Sequence, residues 1–315
     1  MNRWLIGIVI GFSMGVSMTQ ATDLYRVLVP IGDQTTESRE IGIEIAFSKM
    51  LIKLTGNSQI LQSPQLKPFL IDPKAFLDSV GFNQLSQSDT DKTMTMGLDV
   101  KFDRPSVDKL LKQAQLPIIP AIRPNFLVWL MVDDVEQGRR VLDESSALQM
   151  QADDHLFEFL EAFKRSMQAR EISYFLPSYD LEDQLSAGVK EAWAMKVEAL
   201  NAASKRYDAD GWFALRLFKA SDGQIRGAWA YQEAGKRQMN DFYGDSMIDL
   251  VGASVDRVLD TLLQSHTYVP QLETDKLLVQ IDGIRSYKNY QEALRQLEQL
   301  ELVEALQLYS VNKDE

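Results

Sequence analysis

Hydrophobic and polar positions along this chain repeat with two periods, and the switches between them divide it into elements. Leu24-Tyr25-Arg26-Val27-Leu28-Val29 alternates and is rich in strand formers, which predicts a strand stopped by Pro30 to Gln34. Apolar residues then recur at helical spacing through Ile41, Ile45, Leu51, Ile52 and Leu54. That helix is capped by Thr35 or Thr36 and ended by Gly56, with Glu37 and Glu40 near its start and Lys49 and Lys53 near its end. Pro64–Leu70 and Pro73–Val80 read as short helical pieces. Met94, Met96, Leu98, Val100 and Phe102 share one face of a strand, and Asp103 with Pro105 opens a helix on Val107, Leu110, Leu111 and Ala114. The apolar run Phe126–Val132, bounded by Pro124 and Asp133-Asp134, has strand length and closes a first α/β unit.

A polar stretch from Asp133 to Ala152 reads as the boundary. Beyond it the pattern predicts a helix from Asp153 and Asp154 to Arg170, a strand over Ile172–Leu176, and a loop or short turn over Pro177–Gly188. A helix over Val189–Tyr207 and a strand over Gly211–Phe218 follow, with a hairpin turn at Ser221-Asp222-Gly223. Strands over Ile225–Gln232 and Arg237–Tyr243 lead to a helix over Asp245–Gln264. A strand over Leu277–Ile281, a helix from Ser286 to Leu300 and a strand over Val303–Val311 form a small β-α-β addition. The expected class is α+β: two mixed α/β domains with sheets flanked by helices, spanning 22–133 and 153–268, a linker at 134–152, and the addition at 269–315.

The first residues change the picture from fold to address. Arg3, an uncharged apolar run from Trp4 to Met18, and Ala21 before a polar start match a secretory signal peptide cleaved near Ala21. The run is shorter than the roughly 20 apolar residues of a bilayer span. The chain has no cysteine. Disulfides, thiol catalysis and thiolate metal sites are therefore excluded, and an exported protein without them fits a bacterial periplasm. A net charge of −12, with basic pairings such as Arg139-Arg140 and Lys205-Arg206 isolated and interrupted by acids, argues against nucleic acid and against anionic lipid.

Leu24-Tyr25, Val27, Val29-Pro30, Asp33-Gln34, Arg39, Leu54-Thr55-Gly56 and the Pro64 segment stand in one pattern. Phe102-Asp103, Leu110-Leu111, Gln113–Pro117, Arg123-Pro124 and Val128-Trp129-Leu130 extend it. Together they resemble the proteobacterial exported family known as domain of unknown function 2066, over Leu24–Val132 and more weakly through Leu176–Asp183, Arg206–Asp210 and Ile281–Ile284 with Tyr290. The resemblance implies a periplasmic protein of a Gram-negative bacterium and assigns no catalytic residue.

Candidate chemistry is sparse. Gly244-Asp245-Ser246-Met247 matches the nucleophile block of an esterase class, but neither His155 nor His266 lies in the Asp-x-x-His element that would supply a base. Capping of the following helix by Asp245 and Ser246 is the preferred reading. Two histidines are too few for a histidine-built zinc site. The acids Asp133-Asp134, Asp153-Asp154, Asp180 with Glu182 and Asp183, and Asp208 with Asp210 lack a calcium-loop order, and no phosphate loop occurs. Trp193, Trp212, Phe213, Phe218, Trp229, Tyr231, Phe242 and Tyr243 concentrate in the second unit, where sheet core is the preferred reading and a glycan or small-ligand surface the alternative. The expectation is no catalytic, metal or cofactor residue, and a non-catalytic adaptor or binding protein whose partner is another envelope protein. An envelope hydrolase centred on Ser246 is the alternative. The sequence leaves the oligomeric state open.

Overall fold

The first helix shows how directly local chemistry sets this chain. In the computed structural model, β1 (Arg26–Ile31) leads to α1 (Thr36–Thr55), where the Thr35 hydroxyl accepts from the Ser38 amide at 3.2 Å and caps the N-terminus. Gly56 ends the helix in the left-handed region (φ 70°), and its amide donates to Ile52 O. The structure describes residues 23–86, 94–134, 138–145, 155–221, 224–233, 236–244, 247–270 and 286–298, with short stretches at 281, 284 and 306–308. Met1–Ala21, the expected signal peptide, lies outside them.

After α1, short 3-10 turns at Ile60–Gln62, Lys67–Phe69 and Pro73–Phe76 lead into β2 (Leu77–Ser86). The sequence reading expects helix as far as Val80, so β2 is a correction. Gly81, Asn83 and Gln84 dilute its alternation, and the strand is made by pairing: Val80 lies opposite Val100 and Phe82 opposite Leu98. β3 (Met94–Phe102) runs antiparallel between β1 and β2, and α2 (Arg104–Gln113) follows, capped by Asp103 accepting from the Ser106 amide at 3.0 Å. α1 and α2 bury Ile43, Phe47, Met50, Leu51, Val107 and Leu110 against Val27, Val29, Leu98 and Val100. The other face carries the exposed positions of β1.

β4 (Asn125–Asp134) does not close this first sheet; it is an interior strand of the second. The physical reason is its composition. Phe126, Val128, Leu130 and Val132 on one face and Leu127, Trp129 and Met131 on the other are all 2% exposed or less. Such a strand needs helices on both faces, which a sheet with one outward face does not provide. The polar boundary also contains a strand, since β5 (Gly138–Leu142) folds back antiparallel on β4.

The rest of the second sheet follows with its helices: α3 (His155–Gln168), β6 (Ser173–Phe175), α4 (Leu181–Ser186), α5 (Val189–Trp193) and α6 (Val197–Ser204). Then come β7 (Gly211–Lys219), β8 (Ile225–Glu233), β9 (Lys236–Gly244) and α7 (Met247–Leu263). The single helix expected over Val189–Tyr207 is two helices, broken where Met195 takes φ 50° with its side chain fully buried. Strand order is β5-β4-β7-β8-β9, with β6 on β4. β4 is parallel to β6 and β7, and the other pairings are antiparallel. α3 and α7 supply the core on the Phe126 face, while residues of α5 and α6 supply it on the Trp129 face. The chain is thus mixed α/β, two sheets flanked by helices, with no closed barrel among the described strands. No helix among the described residues is long and apolar enough to cross a membrane.

Of the C-terminal addition, α8 (Tyr287–Glu298) is present, with the Ser286 hydroxyl accepting from the Asn289 amide at 3.2 Å. The strand expected at Leu277–Ile281, save Ile281, and that expected at Val303–Val311, save 306–308, lie outside the described residues.

Candidate functional site

The first sheet exposes a long edge. β2 pairs only with β3 among the described strands, and Gly81, Phe82, Asn83 and Gln84 along it are exposed. An unpaired strand edge presents a row of N–H and C=O groups. Phe82 is 43% exposed. On the face away from α1 the three strands are tied by polar side chains: Asp99 accepts from Arg26 Nε at 2.8 Å and from Asn83 Nδ2 at 3.0 Å, and Lys101 pairs with Asp78 at 3.1 Å. The Arg26 hydrogen bond holds the Asp99 carboxyl below the usual carboxylate range. Leu28, 43% exposed, lies in register with Asp99 and Gly81 on this face. A Cβ on Gly81 would meet nothing within 4 Å, so the surface there is open.

The acids singled out in the sequence converge elsewhere, in the turn after β6. Asp180 caps α4, accepting from the Glu182 and Asp183 amides at 3.1 and 3.2 Å, and receives both terminal nitrogens of Arg206 at 2.6 and 2.8 Å. The Arg206 contact, first, and the capping amides lower its pKa from 3.8 to about 2. Asp183 is fully buried and accepts from the Tyr179 amide at 3.0 Å and the Tyr207 hydroxyl at 2.5 Å. Burial, then the Asp183 bond, raises the Tyr207 pKa. Tyr179 sits at φ 48°, its ring edge-on to Trp129 at 6.5 Å. Each carboxylate here answers an amide, a guanidinium or a phenol, so the cluster closes a turn rather than presenting an acid–base pair.

The remaining candidates do not converge. Asp133 pairs with Arg139 at 2.7 Å, and Asp210 accepts from the Asn125 amide at 2.8 Å. Asp208 is exposed. His155 opens α3, and His266 lies after α7 with its ring edge-on to Phe126 at 6.1 Å. Asp153, Asp154, Asp245 and Ser246 lie outside the described residues. No group of three or more His, Cys, Asp or Glu able to hold a metal occurs among the described residues. Of the aromatics, Trp212, Phe213, Trp229, Tyr231 and Phe242 are core; Trp193 and Phe218 are half-buried, with the guanidinium of Arg139 4.8 Å and that of Arg216 5.7 Å from the Trp193 ring. Tyr243 stands 76% exposed on β9.

Sequence reasoning missed the network that joins the two sheets. Arg170, 1% exposed, donates to Gly56 O at 2.8 Å, Ser166 O at 3.1 Å, and Asp256 and Asp260 at 2.7 Å each. Asp260 in turn accepts from the amide and hydroxyl of Ser58 at 2.9 and 2.6 Å. The i,i+4 spacing of Asp256 and Asp260 was its one sequence signal.

A family described as "Domain of unknown function (DUF8605)" matches residues 19–120. The match supports an uncharacterised domain over β1 to α2; it is a different family from domain of unknown function 2066 and says nothing of a proteobacterial origin. The matched residues end ahead of β4 and take in the β2 edge. No curated protein matches the chain. A solved structure described as "Crystal structure of uncharacterized protein" is 7% identical, covers 45% of this chain and 98% of its own, and aligns with a TM-score of 0.18.

Proposed function

We propose that this chain is a non-catalytic binding protein of the Gram-negative periplasm that takes an extended segment of another envelope protein along the β2 edge. The signal-peptide pattern of Met1–Ala21 and the absence of cysteine support the address. The observation that carries the mode of binding is β2 itself, ten residues with an exposed middle and one paired side among the described strands. Natural sheets blunt such edges with proline, short strands or inward charges. β2 has no proline and places Phe82 at its exposed middle. Strand addition would draw affinity from the main chain and selectivity from alternate side chains, with Phe82 next to the added strand. The structural ties of Asp133, Asp180, Asp183 and Asp210 favour binding over acid–base chemistry.

In-cell photo-crosslinking tests this reading. A photoreactive residue at Asn83 is expected to give one discrete adduct to an envelope protein in the periplasmic fraction, and one at exposed Glu198 on α6 none. Phe82→Lys should abolish the adduct. Equal labelling from both positions, or residence of the full chain in the cytosol, would overturn the proposal.

A further inference from the structure

Arg216 interrupts an apolar run. β7 reads Trp212-Phe213-Ala214-Leu215 before it and Leu217-Phe218 after it, and lies between β4 and β8 in the sheet. Its register neighbours are Met131 on β4 and Ala228 on β8, 1% and 0% exposed. A charge in such a row is costly unless something answers it. The half-buried Arg216 donates from Nη1 to Trp193 O at 2.8 Å, and its guanidinium lies 5.7 Å from the Trp193 ring. That carbonyl ends α5, where the helix dipole suits a cation. No carboxylate pairs with Arg216 among the described residues.

A second cation shares the same indole. Arg139 on β5 places its guanidinium 4.8 Å from the Trp193 ring and is tied by Nε to Asp133 at 2.7 Å. Two positive charges thus meet one ring, and Asp133 answers one of them. The other acids nearby are committed or distant. Glu191 on α5 pairs with Lys196 at 3.5 Å. Asp241 on β9 lies two strands from Arg216, beyond Ala228, roughly 10 Å away at the usual strand spacing. The site keeps a positive charge in a chain whose net charge is −12. Stacking on a ring fixes the plane of a guanidinium and leaves in-plane N–H groups to donate, the geometry that takes a carboxylate or phosphate by two parallel bonds.

The place in the fold suits a ligand. β4 and β7 run parallel, and Asp133 opposite Phe218 marks their carboxyl ends. Residues of α5 and α6 cover the Trp129 face as far as Met131, while Asp133, Phe218 and Arg139 beyond it stay partly or wholly exposed. Open α/β sheets take ligands at the carboxyl ends of their parallel strands.

We propose that Arg216 and Arg139, held on Trp193 at the carboxyl ends of β4 and β7, form a binding site for a small oxyanion, a carboxylate or a phosphate. Arg216 is the main contact, because no acid competes for it. Arg139 is the second donor, and Trp193 positions both. The site is on the second sheet, apart from the β2 edge, and stands or falls independently of the binding role proposed above.

Titration of the full chain with citrate, and separately with inorganic phosphate, tests the site at low salt, with NMR detection of the Trp193 indole N–H and the Arg216 Nε–H. Saturable shifts confined to these groups are expected, with a Kd of about 1 mM. Saturation by citrate alone assigns a carboxylate ligand, and by phosphate alone a phosphate. Arg216→Gln should weaken binding about tenfold, and Arg216→Lys, which keeps the charge without the fork, about threefold. Arg165→Gln, at an exposed position on α3 across the sheet, should leave it unchanged. Circular dichroism checks that each variant folds. If Arg216→Gln does not, Arg139→Gln carries the same test from a side chain that is 56% exposed, with a loss of about threefold expected. No shift at Trp193 up to about 50 mM of either anion would overturn the proposal, as would equal weakening by Arg165→Gln.

Discussion

Asp183 shows what a single buried carboxylate can demand. It is fully shielded from solvent, and the Tyr207 hydroxyl and the Tyr179 amide are its close donors. Asp183→Ala leaves the Tyr179 amide and the Tyr207 hydroxyl without this acceptor and is expected to cost about 3 kcal/mol, read as a fall in urea midpoint at unchanged slope; Tyr207→Phe removes the bond to Asp183 together with those to the Ser178 amide and hydroxyl and is expected to cost about 2 kcal/mol. Its neighbour Asp180 supplies the pH dependence. A carboxyl whose folded pKa is lowered from 3.8 to about 2 stabilises the fold above the unfolded value. That contribution is lost as pH falls from about 4 through about 2. A carbon-detected NMR titration of the Asp180 carboxyl should place its midpoint near 2, and Arg206→Gln should return it toward 3.8, because the Arg206 contact is the first cause of the shift. The sequence disclosed these acids as a cluster but not their task. Arg206 and Tyr207 lie more than twenty positions away, and only the fold of α4 to α6 brings them back.

Among the elements, those with their own punctuation were legible and those made by partners were not. α1 and α2 carry cap residues, Thr35 and Asp103, and their boundaries follow from them. Gly56 is the clearest case, needed for both its conformation and its space. A Cβ there would lie 2.2 Å from Ile119 Cδ1, on a backbone at φ 70°. Gly56→Ala is expected to lower stability by about 1–3 kcal/mol, measured by thermal unfolding. Adding Ile119→Val should recover only the steric part. β2 and β5 escaped because their alternation is diluted by Gly81, Asn83 and Gln84, or by Arg139 and Arg140. The apolar run of β4 was legible as a strand but not as a member of the second sheet, since a run buried on both faces does not name its neighbours. The break at Met195 was concealed by continuous helical spacing on either side.

At the scale of the whole molecule, two sheets with separate cores are held by a short list of polar contacts, and Arg170 is at their centre. Its guanidinium reaches Gly56 O at the carboxyl end of α1, where a cation also meets the helix dipole, and spans to Asp256 and Asp260 on α7. The amide and hydroxyl of Ser58 complete the bridge from the first sheet's side. Beside it, Lys53 pairs with Glu171 at 2.9 Å, the Ile119 amide donates to Leu54 O at 2.9 Å, and Ile119 itself enters the second core. Arg170→Met keeps the volume and removes the charge. Asp256 and Asp260 are 37% and 22% exposed, so water takes up part of the loss, and the expected cost is about 2 kcal/mol rather than the 3–5 of a fully buried pair. The more telling readout is cooperativity. With the bridge intact the two cores should melt together; without it, calorimetry should resolve two transitions, and hydrogen exchange should rise at Gly56 and Ser58 before it rises in β4. Ser58→Ala, which leaves Arg170 paired with both acids, should lower the single transition without splitting it. A wild-type chain that already melts in two steps would mean that the cores are independent and that the bridge only orients them.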